Sequence, residues 1–299
     1  MRVVRRVAGA LAVVVALLLV YGVAIEPRLV LDDRRYTAPV PGLPAAWAGA
    51  EVAVFSDLQT GMWWANAGMV ERIVQRVVEQ RPDVVLIPGD FLYSTSPPVA
   101  EQVDTVMDQL APLVESGIPT YAVLGNHDYA AGGAEEMATA LQAAGIPVLQ
   151  NEAVVLDAPG GDGAGGADGA DGPPLHLIGL AATRPGLTDV DAAVSGVPDD
   201  APRLVMMHNP TPFADMPAGT APLAVAGHTH CGQIALPATP RWSYLGLTEE
   251  EEVVADGWAP KGYGAAGNSL FVTCGVGFSV VPVRINAAPQ LVVFTLEGA

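Results

Sequence analysis

From Glu51 onward, short aliphatic runs alternate with segments whose apolar residues recur every three to four positions. EVAVF (51–55), DVVLI (83–87), TYAVL (120–124), RLVMM (203–207) and PLAVA (222–226) are hydrophobic on both faces, the pattern of strands covered on two sides. Between the first two, Val70, Ile73, Val74, Val77 and Val78 share one helical face, and Pro82 stops that helix. Val103, Met107 and Leu110 repeat the spacing before the third run, and Pro112 is expected to end or kink their helix near Val114. Strand, helix, strand, helix, strand predicts an α/β domain built from βαβ units. SLFVTCGVG (269–277) and QLVVFTLEG (290–298) supply further strands.

The chain begins differently. Arg2, Arg5 and Arg6 precede an uncharged run from Val7 to Ile25, close to the ~20 residues that cross a bilayer. Basic residues on the N-terminal side keep that end cytoplasmic, so residues 1–25 read as a signal anchor with the rest of the chain outside. Small residues at Gly22-Val23-Ala24 leave a second option, secretion after cleavage near Ala24. Residues 26–48, with Pro27, Pro39, Pro41 and Pro44, read as a linker to a domain over 49–299. The glycine- and aspartate-rich stretch 157–174, between AVVL and LHLIGL, reads as a low-complexity hairpin insertion.

Composition narrows the function classes. A formal charge of −18 and a single lysine, Lys261, disfavour a nucleic-acid partner, whose phosphates such a surface repels. The 2 cysteines, Cys231 and Cys274, make no CxxC pattern and leave two free thiols or one disulfide open. The acidic run Glu249–Glu252 reads as solvated surface.

Candidate chemistry sits where the aliphatic runs stop. They are followed by Ser56-Asp57-Leu58-Gln59, Gly89-Asp90, Gly125-Asn126-His127-Asp128, His208-Asn209 and Gly227-His228-Thr229-His230. Ligands bind beyond the carboxyl ends of strands in open α/β sheets, so these carboxylates, amides and imidazoles converge on one place. Four of the 5 histidines are accounted for; His176 lies inside LHLIGL and reads as structural. The set predicts a metal site.

In that order, Asp57, Gly89-Asp90, Gly125-Asn126-His127-Asp128, His208 and Gly-His-Thr-His-x-Gly-Gln resemble the calcineurin-like metallophosphoesterase superfamily. The GHTHxGQ form and PVRINAAPQL (282–291) resemble its bacterial membrane-associated or exported branch. The resemblance implies a four-layer α/β/β/α sandwich, two divalent ions at the strand ends and hydrolysis of a phosphoester. Asp57 and His230 would hold the first ion, Asp90 would bridge, and Asn126, His208 and His228 would complete the second. His127 would stand beside substrate as the catalytic residue, Asn126 would also touch substrate, and Asp128 would orient its neighbours. Two cations ~3.5–4 Å apart acidify water and stabilise an in-line transition state. Mixed nitrogen and oxygen ligands favour manganese first, with iron or zinc as alternatives.

Gln59 departs from the family's usual Asp-x-His, offering a neutral carbonyl oxygen in place of an imidazole. It reads as a weak ligand, an outer neighbour, or the mark of a lost first ion; the last would make the chain a non-catalytic binding module on the same fold. Trp63 and Trp64, just past that loop, read either as ordinary packing or as an apolar rim for lipid or a substrate ring. The expected substrate is a phosphodiester or pyrophosphate, lipid-linked or of the cell envelope. Cys231 and Cys274 would then lie beside the metals as a disulfide or close thiol pair.

Overall fold

Along the chain run strands β1 (Asp32–Val40), β2 (Glu51–Val54), β3 (Val84–Pro88), β4 (Thr120–Val123), β5 (Glu152–Val155), β6 (His176–Gly179) and β7 (Arg203–Met206). They are followed by β8 (Ala224–Ala226), β9 (Ala235–Leu236), β10 (Thr239–Ser243), β11 (Gly257–Trp258), β12 (Leu270–Val272) and β13 (Gln290–Gly298). In this computed structural model, which describes residues 1–160, 173–237, 239–247, 253 and 256–299, they form two sheets. One has the order β1-β13-β2-β3-β4, the other β11-β12-β8-β7-β6-β5, and β9 pairs with β10 in a small ribbon. Most of the 157–174 insertion and the run Glu249–Glu252 lie outside the described residues.

The aliphatic runs form strands because each has two apolar faces to cover. Val52, Val54, Val84, Leu86 and Phe294 of the first sheet meet Leu177, Leu204, Met206, Val225 and Phe271 of the second. Ala53, Phe55, Val85 and Ile87 face the other way, onto Val70, Ile73 and Val74 of one helix (Ala67–Gln80) and Val106 and Leu110 of the next (Val99–Ser116). Outside the second sheet, Ile178, Val205 and Ala224 pack on Ala193, Phe213 and Met216. The result is the expected α/β/β/α order, with a thin outermost layer. Each large aliphatic side chain so buried contributes roughly 1.5–3 kcal/mol.

Two expectations are corrected. Pro112 lies inside its helix, which continues two residues past the expected end near Val114, to Ser116, and stops at Gly117 in the left-handed region. The buried face carrying Val103, Val106, Leu110 and Leu113 offsets the lost hydrogen bond. Residues 26–48 are not a linker. The N-terminal helix runs from Arg2 to Leu29, and β1 then pairs in parallel with β13 from Asp32↔Gln290 to Val40↔Gly298. The sequence hid this strand because it lies at a sheet edge, where alternate charged residues face water and Pro39 removes no needed donor.

Strands β2, β3 and β4 are mutually parallel, as are β6, β7, β8 and β12. Their carboxyl ends therefore open toward one region, and the loops leaving them build the site.

Candidate metal centre

These loops hold strained backbone. Asp57, Gln59, Asp90, His228 and His230 all have positive φ, at 56°, 53°, 58°, 69° and 46°. L residues adopt this conformation at a cost of roughly 1–2 kcal/mol, and such strain clusters where surroundings over-determine a functional geometry. Gly227 shows the crowding: a Cβ there would lie 2.5 Å from Asp57 Oδ2, so no other residue lets the His-x-His loop approach the carboxylate.

The predicted residues meet in one connected cluster, nearly all of it buried. His230 Nε2 lies 3.6 Å from Asp57 Oδ1, and the His228 amide donates to both Asp57 oxygens at 3.1 and 3.2 Å. Ser56 donates its hydroxyl to the same carboxylate. Gln59 Nε2 donates to Asp90 Oδ2 at 2.7 Å, and the His127 amide donates to Asp90 Oδ1 at 2.9 Å. His208 Nε2 lies 3.3 Å from Asp90 Oδ2 and 3.0 Å from Asn126 Oδ1, while its Nδ1 donates to the Pro88 carbonyl at 2.8 Å. The His228 ring meets the His208 ring edge-on, 5.0 Å between centroids. Asp90, His208 and His228 each offer a ligand atom, all within 4.8 Å of one another.

Asp128 has the expected orienting role. It accepts from the backbone amides of Gly125, Leu92 and Asp90 at 2.8, 2.9 and 3.1 Å, tying the β3 loop to the β4 loop. His127 is half-buried and its ring stacks on Tyr93, 5.0 Å between centroids. Its Nδ1 is 2.9 Å from the Tyr93 carbonyl, which only accepts, so Nδ1 carries a proton.

Charge is concentrated here. Burial disfavours ionised His208, yet the adjoining Asp90 carboxylate holds its pKa up at about 10. Burial opposes ionised Asp90 as well, and His208 followed by His127 overcomes it, leaving Asp90 well below the usual carboxylate range. Burial pushes the Asp57 carboxyl up, opposed by His208 and reinforced by Asp90. Burial and then the Asp90 charge raise Asp128 to about 7. Burial, then the Arg284 guanidinium, hold His230 far below the ordinary imidazole range, and so neutral.

Sequence reasoning missed Arg284. It is fully buried, donates to the carbonyls of Gly277, Cys274 and Ala287, and sets Nη2 3.1 Å from His230 Nδ1. A guanidinium only donates, so the ring proton of neutral His230 sits on Nε2, facing Asp57. The thiol question resolves as a disulfide, Cys231–Cys274, closing 43 residues and fastening the loop just past His230 to the end of β12. A loop of that length is worth about 4 kcal/mol in the chain-entropy account.

A cavity of about 410 Å³ opens over the cluster, lined by Asp90, Asn126, His127, Arg184, His228 and Tyr244 among others. Arg184 is the other residue missed. It follows the LHLIGL run (β6), a strand end whose polar residues resembled no metal ligand and drew no attention. Trp63 and Trp64 are 63% and 57% exposed and lie outside the residues lining the cavity.

Residues 50–232 match the calcineurin-like phosphoesterase family. The chain belongs to that family. It is 29% identical over 222 residues to the phosphodiesterase YaeI of Escherichia coli (strain K12), covering 73% of this chain and 72% of that protein. It is 23% identical over 285 residues to the uncharacterized metallophosphoesterase YkuE of Bacillus subtilis (strain 168), covering 93% and 90%. A transmembrane protein with metallophosphoesterase domain from Danio rerio is 27% identical over 300 residues; the alignment takes in 96% of this chain and 62% of that longer one. A calcineurin-like phosphoesterase is a hydrolase of phosphoester bonds that uses divalent metals, and this chain is such a hydrolase.

Proposed function

We propose that the chain is a membrane-anchored phosphodiesterase or pyrophosphatase whose dinuclear metal centre is held by Asp57, Asp90, Asn126, His208, His228, His230 and Gln59, and whose substrate is lipid-linked or part of the cell envelope. The observation carrying this reading is the cluster of buried carboxylates and imidazoles within ligand distance of one another, too polar for its burial without cations. The residues fit such ions. Gln59 Oε1 is buried and has no hydrogen-bond partner among the described residues, the kind of oxygen a cation satisfies. Bound divalent cations supply water activation and charge compensation on the phosphoryl oxygens. Manganese suits the oxygen-rich first position better than zinc.

The chain's own groups do the rest. His127, with Nδ1–H donating to the Tyr93 carbonyl, leaves Nε2 to act as the acid: in the doubly protonated ring Nε2–H passes its proton to the departing oxygen, and the ring returns to the neutral Nδ1–H tautomer. The Asn126 amide and the Arg184 guanidinium line the same cavity and orient the phosphoryl group by donating to its oxygens. Asp128 fixes the backbone on which Asp90 and Asn126 stand. Support for a location outside the cytoplasm comes from the apolar helix and from the disulfide, which persists in oxidising compartments.

Gln59 tests the first position. Gln59→His is expected to tighten binding of zinc more than of manganese, because imidazole is the softer donor. Competition against a chromophoric chelator reads this directly; unchanged affinity for both metals would place Gln59 outside the coordination sphere.

A further inference from the structure

We propose that the catalytic domain is seated on the bilayer, with Trp63 and Trp64 at the headgroup level and the metal cavity opening beside them. The proposal rests on the reading that the N-terminal helix spans a membrane. Its new element is how that helix ends. Residues Val7–Ile25 rise roughly 28 Å as a helix, the thickness of the hydrocarbon core, so the boundary falls in the last turn, between Gly22, where the helix meets the domain, and the first charges, Glu26 and Arg28.

Neither charge leads into a flexible tether. Glu26 is buried and accepts from the amides of Asn286 and Ala287 at 2.9 and 2.6 Å. One turn earlier, the Gly22 carbonyl accepts from the Arg284 amide at 2.8 Å, and a Cβ on Gly22 would meet Ile285 at 2.5 Å. Arg28 donates to the carbonyls of Ala65 and Trp64, each at 2.7 Å, and to Asn66 Oδ1 at 3.0 Å. Asn66 in turn donates to the carbonyls of Pro27 and Val276, both at 2.9 Å. Helix and domain therefore move as one body, and the bilayer that holds the helix fixes the tilt of the domain.

That body has an apolar underside. The Arg28 guanidinium lies over the Trp64 ring at 5.1 Å and over Phe278 at 5.0 Å. Trp64 thus stands at the level of the helix end, with Trp63 beside it and both indoles more than half exposed. Indole belongs at membrane interfaces, where its ring meets acyl chain and headgroup together. Two residues past Phe278, Val280 is 52% exposed and lines the metal cavity. Phe278 is buried under Arg28, so the short segment 278–280 runs from the Arg28 contact to the cavity lining. Continuity with the spanning helix commits the surface to lipid, since another protein would have to displace the bilayer there. A phosphoester carried on a membrane lipid would then present its headgroup at the cavity.

The test uses the full chain in phosphatidylcholine vesicles, comparing ordinary lipid with lipid brominated near the glycerol end of its acyl chains. Tryptophan emission of the wild type is expected to fall on bromination, and Trp63→Phe/Trp64→Phe is expected to lose most of that quenching while keeping its emission from the other tryptophans. Equal quenching in the two proteins, or none in the wild type, would overturn the proposal. So would quenching of Trp63 and Trp64 by aqueous iodide undiminished by the vesicles. Metal content and turnover of a soluble diester on the same preparation report the enzymatic reading separately, because the quenching needs neither.

Discussion

Asp90→Ala is expected to lose bound metal and turnover together. Asp90 is the carboxylate that the β2, β4 and β7 loops all address: Gln59 and the His127 amide donate to it, and His208 lies 3.3 Å away. As the proposed bridge it serves both cations, so its removal leaves neither with a full set of ligands. Cations contribute several kcal/mol of charge stabilisation to phosphoryl transfer, and turnover should fall at least about a thousandfold. The metal-free protein should also lose stability, because the Asp90 carboxylate that holds His208 protonated against its burial is gone and the ion pair between them with it. Elemental analysis after dialysis, a diester assay and thermal unfolding read the three effects. A variant that retains two ions and unfolds like the wild type would contradict the bridging role.

His127→Ala separates chemistry from metal binding. Its side chain faces Tyr93 and the cavity, and its link to Asp90 runs through the backbone amide, which alanine keeps. Metal content should be unchanged while turnover drops by roughly 10²–10⁴-fold, the usual worth of a positioned proton donor. The drop should be largest for an alkyl leaving group, which needs a proton, and smallest for a nitrophenyl one, which does not. Equal losses on both substrates would reassign His127 from proton donation to charge stabilisation.

The strand ends were legible in the sequence because a run apolar on both faces must stop where a polar residue is needed, and the stops after β2, β3, β4, β7 and β8 enter the cluster. The same runs predicted an α/β domain of βαβ units; the α/β/β/α layering was implied by the family resemblance. What stayed hidden depends on tertiary context. Strand β1 carries charges on its outer face and a proline, so no apolar run marks it; only its register with β13 makes it a strand. Arg284 sits 54 positions or more from every candidate ligand, and nothing local says that a guanidinium will be fully buried against an imidazole. The anchor's union with the domain was hidden for a related reason: Glu26 and Arg28 look like solvated residues of a tether until their partners at Asn286, Ala287 and Ala65 are in view.

The central claim is that this cluster exists to hold two cations. Calorimetric titration of the dialysed chain with Mn²⁺, in buffers of different ionisation enthalpy, tests it most directly. Ion uptake must displace the proton that Asp90 keeps on His208. About two ions per chain are therefore expected, with protons released and affinity rising from pH 6 to pH 8, still below the His208 pKa of about 10. Fewer than two ions, or uptake indifferent to pH, would contradict the account.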